Sequence, residues 1–220
     1  MKKDRLNRYT AVLGLFVLGL FGCAHTITVK VPPKIDLTPY QTIGIVEFSS
    51  ASPKATPELS QLATQKFMND IQSAQPQVRF LELGPEGALL KTIGRERMDL
   101  ESAKAIGKKY GVATLFSGSY EISDVKPKLN MKDLASLNAS ADVHLSMVSK
   151  QWETATGATM WTHSRRGEWQ VASLSRDAKT PVSLSVSRPE EQYGKFIAEL
   201  AFAMTDDFRP HFEQREAPKN

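Results

Sequence analysis

The side chains able to do chemistry in this sequence are few and scattered. Cys23 is the only thiol, which excludes an internal disulfide and a cysteine cluster for zinc or iron–sulfur. What a lone cysteine can do is act as a nucleophile, because a thiolate is the good nucleophile among side chains. The imidazoles are His25, His144, His163 and His211. His25 and His211 fall near the two ends, and His144 and His163 fall on two strands of a hairpin, offset along it by roughly 13 Å, so a shared metal is not expected. Gly84-Pro85-Glu86-Gly87 is not followed by Gly-Lys-Ser/Thr, and Ser117-Gly118-Ser119 lacks the flanking glycines of a nucleophile elbow, so both read as structural turns rather than catalytic loops. Arg165-Arg166 beside Trp161 and Trp169 could grip an anionic glycan or a carboxylate by cation–π and bidentate contacts. The plainer reading, that the tryptophans pack and the arginines cover them, is preferred. No metal, cofactor or catalytic centre is expected.

Cys23 owes its interest to what precedes it. Residues 1–10 are polar and positive, and residues 11–22 (AVLGLFVLGLFG) are apolar throughout. That run is well short of the roughly 20 residues a permanent membrane helix needs, and its layout is that of a secretory signal peptide. Leu20-Phe21-Gly22-Cys23 resembles the lipobox of bacterial lipoproteins, with Phe21 departing from the small or aliphatic residue usual at its position. The resemblance implies cleavage before Cys23, a diacylglyceryl group on its thiol and an acylated amine. Several acyl chains, at about 0.8 kcal/mol per buried CH₂, hold a protein firmly on a membrane. Ala24 at the following position implies sorting to the outer membrane.

The leader also explains the charge. The chain of 220 residues has a formal charge of +4, but Lys2, Lys3, Arg5 and Arg8 against Asp4 give the leader +3 and leave +1 for residues 23–220. A remainder so near neutrality has no global electrostatic reason to bind nucleic acid. With 41% apolar and 24% charged residues, the chain is ordinary globular material.

The elements that must position these residues follow from local signals. Residues 23–40 read as a lipidated tether, with Pro32-Pro33 stopping any strand over 26–31. A domain over 41–208 begins with a buried strand, TIGIVEF (42–48). Thr56-Pro57-Glu58 starts a helix whose stripe is Leu59, Leu62, Ala63, Phe67, Ile71 and Ala74. VRFLEL (78–83) is a second strand. Residues 86–97 are ambiguous between loop and short helix. Asp99 caps a helix ending at Tyr110, with Gly111 in the left-handed position. Residues 112–123 form a third strand. Residues 125–138 read as a solvated insertion bearing Lys126, Lys128 and Lys132. Alternation over 141–147, a turn at 153–157 and a run over 158–171 make a long antiparallel hairpin. Val182, Leu184 and Val186 alternate with serines as a short edge strand. A last helix opens at 188–191, and 209–220 reads as a flexible tail. Ile45, Phe67, Leu115 and Leu200 are expected to be buried together, with all helices on one face of the sheet. The class is α/β: a single layered domain with a mixed sheet in the order β-α-β-α-β-hairpin-α, preceded by a lipoprotein signal peptide.

Blocks in this order, IGIVEF, VRFLEL, AKAIGKKYGVATLFSGSYE and the turn ETATGATMW, resemble lipoproteins related to the curli-secretion channel CsgG, to the penicillin-binding-protein activator LpoB and to the N-terminal domain of TolB. Gly118, Thr156-Gly157 and Trp161 carry the match, over about residues 41–205. The resemblance implies a periplasm-facing binding or assembly domain. It does not carry over the CsgG pore, because the 125–138 insertion is too short and Lys-rich for membrane-crossing strands, nor the long stalk of LpoB. The expected function is a non-catalytic accessory or adaptor in cell-envelope assembly or secretion, partnered by the membrane through its anchor and by an envelope protein. The second reading is a subunit of a homo-oligomeric outer-membrane secretion complex, and an envelope hydrolase comes third. Trp161, Arg165, Trp169, Val182, Leu184 and Val186 are the expected partner surface.

Overall fold

The computed structural model describes residues 26–40, 42–133, 136–176, 183–186 and 188–216; the leader, Cys23 and Val182 lie outside them. The elements in order are β1 (Thr26–Val31), β2 (Ile43–Glu47), α1 (Pro57–Ala74), β3 (Phe80–Pro85), α2 (Glu86–Thr92), α3 (Leu100–Tyr110), β4 (Thr114–Ile122), β5 (Lys126–Asp133), β6 (Ser136–Glu153), β7 (Thr159–Arg176), β8 (Ser183–Val186), α4 (Pro189–Met204), a 3-10 turn (Asp206–Phe208) and β9 (His211–Glu216). No helix among the described residues is long and apolar enough to cross a membrane.

The chain divides into two compact units. The larger runs from Pro33 to Arg209 and is built on a seven-stranded mixed sheet, in the order β3-β2-β4-β6-β7-β8 with β5 also on β6. β2 pairs in parallel with β3 and β4, and every later pairing is antiparallel. In the smaller unit β1 and β9 form an antiparallel ribbon, Thr26 opposite Glu216 and Val31 opposite His211. The tether and tail readings are thus revised. Residues 33–40 belong to the larger unit, where Leu37 is fully buried and its N–H donates to Gln75 Oε1 at 2.8 Å, and part of the tail is a strand.

Local signals explain most elements. Thr56 Oγ1 accepts from Leu59 N at 3.4 Å, with Pro57 just behind it, and Asp99 accepts from Ser102 N at 3.0 Å. Gly111 closes α3 at φ 67°, a conformation that a Cβ would penalise. The segment read as a solvated insertion is β5 and the start of β6, in register Lys126 opposite Asp142 through Asp133 opposite Ser136.

Adjacent strand residues point to opposite faces, and here both faces are used. Ile43 and Ile45, Phe116, Tyr120 and Ile122, and Val143, Leu145 and Met147 join Phe67 and Ile71 of α1 and Phe196, Ile197 and Leu200 of α4 in the larger core. Val46, Leu115 and Trp152 point the other way, into a smaller core closed by Leu89 of α2 and by Ala103 and Ile106 of α3. The expectation of one helical face is corrected accordingly. Leu115 is buried as expected, but on the face opposite Ile45, Phe67 and Leu200. A chain of edge-to-face and tilted rings, Phe48–Phe67 at 5.3 Å, Phe67–Phe116 at 5.4 Å and Phe116–Phe208 at 5.6 Å, ties the larger core together. Such pairs add about 0.5–1.5 kcal/mol each beyond burial.

Candidate functional site

α2 and α3 cover the second sheet face only around Leu115 and Trp152. Beyond them the alternation of β4, β6 and β7 presents a polar surface. The register sets Glu121, Ser146 and Arg166 in one line across the three strands, and Ser119, Val148 and Ser164 in the next. His144 stands opposite Glu168, with Nδ1 3.8 Å from Oε2. Lys128, from β5, places Nζ 2.9 Å from Asp142 Oδ2 and also pairs with Glu168. The Glu168 and Asp142 carboxylates hold the Lys128 ammonium above its usual pKa. Lys128 and Glu168 are exposed and their pair is screened by solvent, so it orders the surface more than it stabilises it, while Asp142 is buried beneath them.

Two depressions lie along this face. One of about 510 Å³ is lined by Glu121, Ser123, His144, Ser146, Arg166 and Glu168. The other, of about 240 Å³, is lined by Ser117, Ser119, Lys150 and Trp152 of the sheet with Glu86 and Met98 beside them. Burial pushes the Glu86 carboxyl above its ordinary pKa. Ser117 is spent, its Oγ accepting from Trp152 Nε1 at 2.8 Å. Rows of hydroxyls with an arginine and paired charges suit an extended polar ligand. Gly118 sits mid-strand because a Cβ there would enter the Phe48 ring, and the backbone bonds Ser49 N to Gly118 O (3.0 Å) and Tyr120 N to Ser49 O (2.9 Å) hold that close approach.

The trio Trp161, Arg165 and Trp169 lies on the other face, Trp161 against the 3-10 turn and Arg165 and Trp169 against α4. Trp161 meets Phe208 at 4.9 Å and donates Nε1–H to Asp207 Oδ2 at 3.1 Å. Trp169 stacks on Phe196 at 4.6 Å and donates to Glu199 Oε2 at 2.9 Å. Arg165 Nε donates to Ala203 O at 3.3 Å. Both indoles are partly buried and engaged by these contacts, and Arg165 is exposed beside them. Leu184 and Val186 fall in β8, which pairs with β7 over Ala172–Ser175. Strand alternation over 141–147 sets Asp142, His144 and Ser146 on the opposite face; the charge pairing that orders that face needs β5, read from the sequence as a solvated insertion.

His144 and His163 lie on opposite faces, and His163 Nδ1 is 3.4 Å from Asp207 Oδ2. Asp207 also accepts from Lys34 Nζ at 3.1 Å, and the Trp161 and Lys34 hydrogen bonds hold its carboxyl below the usual carboxylate range. His211 Nε2 is 3.2 Å from Glu213 Oε1, and His25 lies outside the described residues. Among the described residues no three His, Cys, Asp or Glu side chains are grouped to hold a metal.

No family model matches this chain, and no curated protein does either. Among solved structures it is similar to the PelC dodecamer from Paraburkholderia phytofirmans, at 11% identity, covering 84% of this chain and 98% of that one with a TM-score of 0.42. It is similar to the LpoB C-terminal domain from Salmonella enterica, at 11% identity over 64% of this chain and 85% of that one, TM-score 0.35. It is also similar to lipoprotein GNA1162 from Neisseria meningitidis, at 10% identity over 59% of this chain and 83% of that one, TM-score 0.35.

Proposed function

We propose that this chain is a lipid-anchored accessory protein of the bacterial cell envelope, facing the periplasm from the outer membrane, and that it works by holding a protein partner rather than by catalysis. The observation that carries the reading is the bare sheet face, where Glu121, Ser146 and Arg166 align across three strands of a sheet packed against helices on its other side. Binding surfaces commonly sit on such rigid scaffolds. The titratable groups there engage one another, Lys128 with Asp142 and Glu168, instead of forming an acid–base pair aimed at a shared point. The Leu20–Cys23 motif supports the anchor.

The test is a photo-crosslinking side chain at residue 146, in intact cells, against the same group at Lys108 on α3. A discrete protein adduct from position 146, absent from position 108, supports the adaptor. Equal labelling from both positions removes the bare face as the binding site. Cys23→Ala tests the anchor separately: it should release the protein from the outer-membrane fraction, and unchanged fractionation refutes lipidation.

A further inference from the structure

We infer that copies of this chain associate head to tail through the two free edges of the large sheet, β3 of one copy against β7 of the next. Among the described residues β3 pairs only with β2. At the other end β8 covers β7 only over Ala172–Ser175, so among the described residues Thr159–Val171 has no ladder partner on its outer side. An unpaired edge of that length is a template for another strand unless it is blunted. β2, β3 and β4 are parallel, β6 opposes β4, and β7 opposes β6, so β7 runs in the same direction as β3. A second copy in the same orientation therefore continues the sheet without reversing it, and its two faces continue as well.

The edges are complementary in charge. Glu82 is the charged residue of β3; it is exposed, and it shares the face of Phe80, which packs on the larger core. On β7 the exposed Arg165 lies on that same face and Arg166 on the other. The one acid of the free stretch, Glu168, is already held by Lys128. With Glu82 opposite Arg165 in this parallel pairing, the exposed Leu81 comes opposite the exposed Ser164. Opposite charges across neighbouring strands help to stabilise a sheet. The contact uses two different surfaces, so it propagates to a ring if the rotation closes and to a filament if it does not. It depends on neither the anchor nor the bare face.

The test uses the full chain in mild detergent, with mass measured by light scattering along a dilution series. The parent should exceed the monomer mass and dissociate on dilution. Glu82→Arg and Arg165→Glu should each weaken association about tenfold, and the double swap should restore it. Thermal unfolding of each variant separates lost association from lost fold. Leu81→Cys combined with Ser164→Cys should give an oxidised ladder beyond dimers, where either change alone stops at the level set by the parent with Cys23. A parent monomeric at every concentration, a mass indifferent to Glu82→Arg, or a ladder that stops at dimers in the combined variant overturns the inference.

Discussion

Thr154, at the tip of the β6–β7 hairpin, occupies the space that a Cβ on Gly107 of α3 would fill. Its Oγ1 donates to Val112 O at 2.5 Å, and its N–H donates to Ala113 O at 3.0 Å. Gly157 in the same turn, at φ 74°, lies against the Leu100 carbonyl at the start of α3. The hairpin turn is therefore seated on a helix through two missing side chains.

Gly107→Ala should destabilise the fold by about 1–3 kcal/mol, the usual cost of overpacking, although alanine is by far the better helix former. The denaturant midpoint measures it. An unchanged or raised midpoint would mean that the turn and α3 do not touch as described.

Leu115→Ala should cost about 2–5 kcal/mol. Because Leu115 belongs to the smaller core and Phe67 to the larger, Leu115→Ala and Phe67→Ala should add with little coupling in a double-mutant cycle. Coupling well above about 0.5 kcal/mol would place them in one core.

Asp207 gives a pH dependence. Its carboxyl is held low by the Trp161 and Lys34 hydrogen bonds. Such a group contributes stability above its unfolded-state pKa, roughly 4, and loses it as pH falls through the lower folded value. Asp207→Asn should lower the Tm at neutral pH and flatten its decline in acid. A parallel decline in both proteins would show that the carboxylate adds nothing.

Replacing His144 and His163 together should leave zinc content and thermal stability close to those of the parent, since the two rings face opposite sides of the sheet. Stoichiometric zinc in the purified parent, lost in the double variant, would contradict this.

What was legible in the sequence was what local chemistry decides. Thr56-Pro57, Asp99 and Gly111 punctuate helices by hydrogen bonds within a few residues, and the hairpin register follows from its turn, which sets His144 opposite Glu168. What was missed depends on distant partners. β9 has little apolar alternation of its own and becomes a strand only against β1. β5 spaces Lys126 and Lys128 two apart, a strand period that its charge disguised as solvation. The IGIVE run signalled burial on both faces of β2, yet its second face was assigned no helix; α2 and α3 fill it. Trp161 and Trp169 were legible as packing residues, but that Phe208 of the 3-10 turn meets the first and Phe196 of α4 the second follows only from the tertiary fold.

The mixed sheet imposes an order on folding. β6 and β7 close on each other through a turn of a few residues, and β5 pairs with β6, the strand next in sequence, so this meander can zip locally on the microsecond scale of hairpins. β2 is different: its neighbours β3 and β4 lie far downstream, and both pairings are parallel, closing long loops before any ladder bond repays them. The strand at the centre of the parallel half is therefore made early and paired late. In a chain emerging from its N-terminus, Ile43-Gly44-Ile45 has no partner until residues 80–82 have followed it and no partner on its second side until residue 116, so this apolar run is exposed for long during biogenesis.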